Sequence, residues 1–241
     1  MVRICHASID EHGKISGGEK GDQTGKEVCV RSYYSKPWGV CLRHPKEEIA
    51  NKIAKIAETL ANSNLVGYDQ TNRNELHDVM KLFNHDANAY IMSGKKTETD
   101  CSAFATECAI AGGVATLEYT GNAPTTTTME RRFKSAGFNV LTQSRYLTNE
   151  KFLKRGDILV APGKHTVIVL DDGEPTTTDC FPPYKGRATS IAYALDDMGI
   201  DSSKSYRKKI YEKNFTDKYV FSAYQNTEML KKLKSGDLLI P

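Results

Sequence analysis

Residues 101 to 111, Cys-Ser-Ala-Phe-Ala-Thr-Glu-Cys-Ala-Ile-Ala, carry a single charge and are followed by Gly112-Gly113. Alanine is the best helix former and a glycine pair ends a helix, so the segment reads as a narrow apolar helix with Asp100 placed to cap it. A helix this apolar has almost no face to give to water and must be buried against a sheet. Strands to receive it are predicted at Phe138 to Leu141, Asp157 to Ala161 and His165 to Leu170, the last two joined by a Pro162-Gly163 turn. Residues 2 to 9 and 26 to 34 are also rich in β-formers, and a loop with five glycines separates them.

Amphipathic spacing predicts a helix from Pro45, with Ile49, Ile53, Ile56 and Leu60 on one face, and a second over about 72 to 90, with Leu76, Val79, Phe83 and Ala87. Thr127 and Glu130 fit a capping box that opens a further helix ending at Gly137. Helices followed by strands, without a β-α-β rhythm, indicate an α+β domain whose second half is an antiparallel sheet. Gly25-Lys26 is not a phosphate loop, because Lys20 and Glu27 stand where glycine and a hydroxyl residue are needed. His77 and His85, eight residues apart on the second helix, read as surface or core histidines, so no metal and no cofactor is expected.

The 241 residues hold 33 basic and 30 acidic side chains, a net charge of +3, too little to predict nucleic-acid binding. The surplus sits in residues 187 to 241, which carry 10 basic and 7 acidic groups. No run of about 18 apolar residues occurs, so membrane insertion is not expected. Met1 to His6 resembles neither a signal nor a transit peptide, and synthesis in the cytoplasm is the expectation. The six cysteines are too sparse for a disulfide scaffold and lack zinc-ligand spacing. On one helix Cys101 and Cys108 lie about 10 Å apart, beyond disulfide reach.

A threonine run and a Pro-Pro step in residues 171 to 190 suggest a return strand that passes into a linker. The domains expected are 1–180, a linker at 181–188, and a helical module over 189–241. Three short helical patterns support that module: Ile191, Leu195 and Met198; Tyr206 and Ile210; and Met229, Leu230 and Leu233.

At the first turn of a helix, free N–H groups and the dipole favour a thiolate, so Cys101 is placed as a nucleophile with a lowered pKa. His165 opens a strand after a tight turn, where its ring can face a packed helix end and accept a proton. The small Ser102 and Ala103 leave room for a carbonyl to approach the Cys101 N–H. Against this stands a plain alternative, in which Cys101 is a buried helix residue and His165 a strand-edge histidine.

Asp100-Cys101-Ser102-Ala103-Phe104 resembles the nucleophile motif of NlpC-type, papain-like cell-wall peptidases, a family related to the CHAP enzymes. Gly156-Asp157-Ile158 and His165-Thr166-Val167-Ile168-Val169 are similar to that family's Gly-Asp and histidine strands, in the same order. The resemblance covers roughly residues 65 to 180. It implies helices packed on an antiparallel sheet, with amide-bond hydrolysis in the peptide stem of peptidoglycan through a thioester on Cys101. The reaction would be that of an endopeptidase or an N-acetylmuramoyl-L-alanine amidase, with His165 as base and Asp100, Ser102 and Tyr68 holding substrate. The family orients its histidine with a polar group about twelve residues downstream, which here is Thr177, with Asp179 nearby. If the N-terminal strands complete the sheet, Asp22 or Gln23 takes that place instead.

Gly21 to Val28 and Pro37-Trp38 resemble the start of phage endolysins of this type. Gly199-Ile200-Asp201-Ser202-Ser203, Arg207, Ile210 and Gln225-Asn226 are similar to a short wall-binding module at endolysin C-termini. The resemblance therefore implies an endolysin that reaches the cell wall after holin-type or lytic release, with peptidoglycan as its partner. Two other readings stay open: a non-catalytic envelope-binding or virion protein on a papain-like shell, and a cysteine acyltransferase or general protease on that shell.

Overall fold

In a computed structural model, described over residues 1–174 and 180–241, the chain divides into two units, Met1–Gly173 and Glu174–Pro241. The first unit is mixed α+β. Its strands are β1 (Arg3–Ala7), β2 (Val28–Ser32), β3 (Val40–Arg43), β4 (Val66–Tyr68), β5 (Thr97–Thr99), β6 (Asn139–Leu141), β7 (Ile158–Ala161) and β8 (His165–Val169). Six of them form an antiparallel sheet in the order β2-β1-β8-β7-β3-β6, while β4 and β5 pair in parallel beside it. Half of the main sheet thus comes from the first 43 residues. The expectation of helices first and strands afterwards is corrected: β1 is the neighbour of β8, so the N-terminal segment does complete the sheet.

Alternation along the strands sorts their side chains into two cores. Cys5, Ala7, Val40, Leu42, Ile158, Val160 and Ile168 face α1 (Glu47–Ala61) and α4 (Cys101–Ala111), in the core that holds Ile53, Ala57, Phe104 and Cys108. Ile4, Cys41, Leu159, Ala161, Val167 and Val169 face the other way, beneath Trp38, Leu153 and the partly buried Tyr34 and Tyr146. Ten of the eleven α4 residues are buried, as their composition demands.

The helix expected over 72 to 90 is two helices, α2 (Glu75–Leu82) and α3 (Ala87–Ser93). Asn84 and His85 break it in left-handed backbone, with φ of 51° and 59°. Asn and His tolerate that region better than most residues, whereas the apolar spacing alone did not register the break. The helix after the threonine run is α5 (Met129–Ser135); Thr128 is its N-cap without a side-chain cap bond, so the Thr127–Glu130 capping box does not form. A short α6 (Ser144–Leu147) leads to Gly156, whose φ is 85° and where an added Cβ would lie 2.2 Å from the Ala50 carbonyl oxygen. Asp157 beside it is buried and takes a two-pronged bond from Arg43, at 2.7 and 2.6 Å. The Gly-Asp step is thus a structural joint between β7, β3 and α1.

The second unit holds α7 (Ile191–Asp197), α8 (Lys204–Asn214) and α9 (Ala223–Ser235), the last opened by a Ser222–Gln225 capping box. Residues 181–188, read from sequence as a linker, contribute to its core: Phe181 and Tyr184 pack with Leu195, Ile210 and Leu233. Their backbone N–H groups donate to Leu238 and Leu233. Among the described residues no helix is long and apolar enough to cross a membrane.

Candidate active site at the start of α4

Asp100 caps α4. Its Oδ1 accepts from the N–H groups of Ser102 and Ala103 at 2.9 and 2.7 Å, outside the Cys101 N–H, and from the Ser102 hydroxyl at 2.9 Å. Arg73, just ahead of α2, donates Nε to Asp100 Oδ2 at 2.6 Å and a terminal nitrogen to Ser102 Oγ at 2.8 Å. The same guanidinium donates to the carbonyls of Ala123 and Pro124. Asp100 and Ser102 are therefore occupied in fixing the helix start to its neighbours.

Cys101 itself is 7% exposed. Burial, then the Asp100 carboxylate, pushes its thiol up to about 12, against the N–H groups of Thr166 and Ser102 and the charge of Arg73. The expected lowered pKa is corrected: at a helix start this dry, desolvation outweighs the dipole. Tyr68 lies at the end of β4, opposite Thr99 in register and within electrostatic reach of the Cys101 sulfur. Its hydroxyl accepts a hydrogen bond from Gln70 at 3.2 Å, and burial raises it to about 12.

His165 sits at the first position of β8, paired with Ala161 across the hairpin. By alternation it shares the parity of Val167 and Val169, away from α4, whereas Ile168 faces the helix. As the first residue of β8, however, it stands at the end of the sheet, where Tyr34 of the same face is within electrostatic reach of the Cys101 sulfur. Its Nε2 lies 3.1 Å from Nδ1 of His6 on β1, with the rings edge to face at 5.3 Å. The Tyr34 hydroxyl stands 3.5 Å from the same His6 nitrogen, and Tyr34 leans on Trp38. Burial first, then the neighbouring cationic Lys36, lowers His165 to about 4. Burial, then His165 itself, lowers His6 to about 3, so both rings are neutral near pH 7.

The structure thus brings His165 against His6 and sets the Thr166 amide, one residue on, at the Cys101 sulfur. Among the described residues no hydrogen bond joins that sulfur to the His165 ring. Thr177 and Asp179, two of the expected orienting groups, lie outside the described residues. Asp22 and Gln23, the other two, face elsewhere: Asp22 accepts from the backbone of residues 24–28, and Gln23 donates to Lys20 and Gly21. His6, Arg73 and Tyr34 were missed from the sequence. The available signal for His6 was its place in a β-rich segment with the parity of Ile4, which puts it on the same face as His165 once β1 joins β8.

No curated protein and no solved structure matches the chain. The family model described as an endolysin-like domain matches residues 4–176, which take in β1, α4 and β8 together. The chain therefore belongs to the endolysin-like domain family.

Proposed function

We propose that this protein is a peptidoglycan hydrolase of papain-like, NlpC type that cuts an amide bond in the peptide stem, with Cys101 as nucleophile, His165 as base and His6 as the residue that orients the base. Family membership supports the cell-wall lytic class. The observation that carries the mechanism is the 3.1 Å contact between His165 Nε2 and His6 Nδ1. In the tautomer with the proton on His165 Nε2, that N–H donates to His6 and leaves the His165 Nδ1 lone pair free for a thiol proton.

With the thiol held near 12 and the imidazole near 4, the resting pair is neutral, so the proton moves only as the sulfur attacks. Sulfur bonds to the stem carbonyl carbon, the proton passes to His165 Nδ1, and the Cys101 N–H, outside the Asp100 cap, donates to the developing oxyanion. The imidazolium then protonates the leaving amine as the C–N bond breaks. Water, deprotonated by the same imidazole, releases the acid from the thioester and restores the thiol. Tyr68 lines the approach to the sulfur, while Asp100 and Ser102 act through the Arg73 clamp.

Cys101→Ala abolishes the clearing of purified cell walls in this reading and leaves sedimentation of the protein with those walls intact, since we assign wall binding to the unit Glu174–Pro241. In that unit Ile210 and Gln225 of the wall-binding resemblance are core and capping residues, so its exposed basic side chains would meet the wall. A second reading, a non-catalytic envelope-binding protein on the same shell, is favoured by the burial of Cys101 and its raised pKa. Equal wall clearing by Cys101→Ala and parent would refute the cysteine mechanism. Wall binding with no clearing by the parent would select the second reading.

A further inference from the structure

Where α4 meets α2 and residues 115–117, four side chains converge that the proposed reaction does not use. Glu107 of α4 is fully buried, and its two oxygens meet the Nδ1 atoms of His77 at 2.7 Å and His85 at 2.8 Å. A carboxylate can only accept, so each Nδ1 carries a proton, and a ring with no second proton presents an Nε2 lone pair. Both Nε2 atoms face Glu118, with His77 Nε2 at 3.5 Å from Oε1 and His85 Nε2 at 3.1 Å from Oε2. Lone pairs aimed at a carboxylate repel unless something positive lies between them. A second proton is one answer at His85, where Glu107 first and then Glu118 favour it against burial, but His77 Nε2, on a residue 2% exposed, has no hydrogen-bond partner in this geometry.

We infer that His77 Nε2, His85 Nε2 and a Glu118 oxygen form a binding site for a divalent transition-metal cation of zinc type, with Glu107 fixing both imidazoles from behind. One donor atom from each of His77, His85 and Glu118 lies within 4.8 Å of the other two. Tetrahedral zinc with bonds of about 2.0–2.2 Å needs donor separations of ~3.4 Å, close to the 3.5 and 3.1 Å at which the two rings meet one oxygen each of the Glu118 carboxylate. Two imidazoles and a carboxylate suit zinc, and a carboxylate behind a ligating histidine is the usual outer support. Tyr119 stacks on His77 at 3.9 Å and walls the site, while Glu118, about one-third exposed, leaves the fourth position to water. Lys81, whose Nζ reaches Glu118 at 3.1 Å, is half exposed and swings out when the cation enters. The left-handed backbone at Asn84 and His85 turns the His85 ring into this cluster, so the cation ties α2, the loop after it, α4 and the 115–119 segment together.

The test is zinc titration of the full-length protein, stripped with a chelator, read by competition with a chromogenic indicator and by X-ray absorption. One zinc per chain with only nitrogen and oxygen neighbours is expected, and it raises the melting temperature. His85→Ala and Glu118→Gln, at partly exposed positions, each weaken binding by more than about tenfold, the least that loss of an outer partner costs. Circular dichroism spectra matching the parent's are the control that both variants keep their fold. Absence of stoichiometric binding, sulfur among the neighbours, or affinity unchanged in His85→Ala would overturn the assignment. Cell-wall activity does not enter these readouts, so the site stands or falls independently of the proposed reaction.

Discussion

Acid should unfold the first unit through its paired imidazoles, and replacing one of them should relieve the effect. Both folded pKa values are depressed from 6.5, to about 3 for His6 and about 4 for His165. A depressed value means that the unfolded chain binds protons first, so the stabilising contribution is whole above pH 6.5 and lost as pH falls toward the folded values. Between pH 8 and pH 5 each ring then removes about 2 kcal/mol. Glu98 acts in the opposite sense: fully buried, with neither oxygen partnered, it is raised by burial and by Glu27 to about 8 and so favours the folded state as pH falls. The informative quantity is therefore the difference between parent and His6→Gln, which keeps a polar group toward His165 but does not titrate. Urea unfolding at pH 8 and pH 5 should show the variant losing about 2 kcal/mol less than the parent over that interval. Parallel pH curves, or imidazole NMR signals from His6 and His165 that titrate near 6.5, would refute the buried neutral pair.

Cys101 should react slowly with iodoacetamide at pH 7 in the absence of substrate, and about tenfold faster per pH unit toward its value near 12; fast alkylation at neutral pH, followed by mass spectrometry, would contradict its burial. Asp100→Ala removes a cap and strands the Arg73 charge, for a loss of roughly 3–5 kcal/mol in urea unfolding. Gly156→Ala drives a methyl group into the Ala50 backbone at positive φ, which should cost roughly 2–3 kcal/mol; a melting temperature equal to the parent's would contradict the close approach.

The apolar run at 101 to 111 announced a buried helix because composition leaves it no solvent face, and the β7–β8 hairpin announced itself through two short runs of β-formers and a Pro-Gly turn. Local pattern could not show that β1 crosses the sequence to lie beside β8, since strand pairing is a long-range choice with no local signature. That pairing decides the identity of the residue beside His165, which is why His6 was invisible while Thr177 and Asp22 looked plausible. The thiol pKa failed for a related reason: the helix position was legible at Asp100-Cys101, but its dryness depends on distant elements that cover it. At His77 and His85 an eight-residue spacing discouraged a metal reading, and only Glu107 and Glu118, from other elements, make the pair a cluster.

The pairing of β1 with β8 also sets a clock. His6 and His165 are separated by 159 positions, so a ribosome that has already exposed the first ring must finish the rest of the sheet before the second can meet it. Every shorter nascent product lacks the base, and a cell that makes this chain carries no working copy of the proposed catalyst until translation of the whole first unit is done.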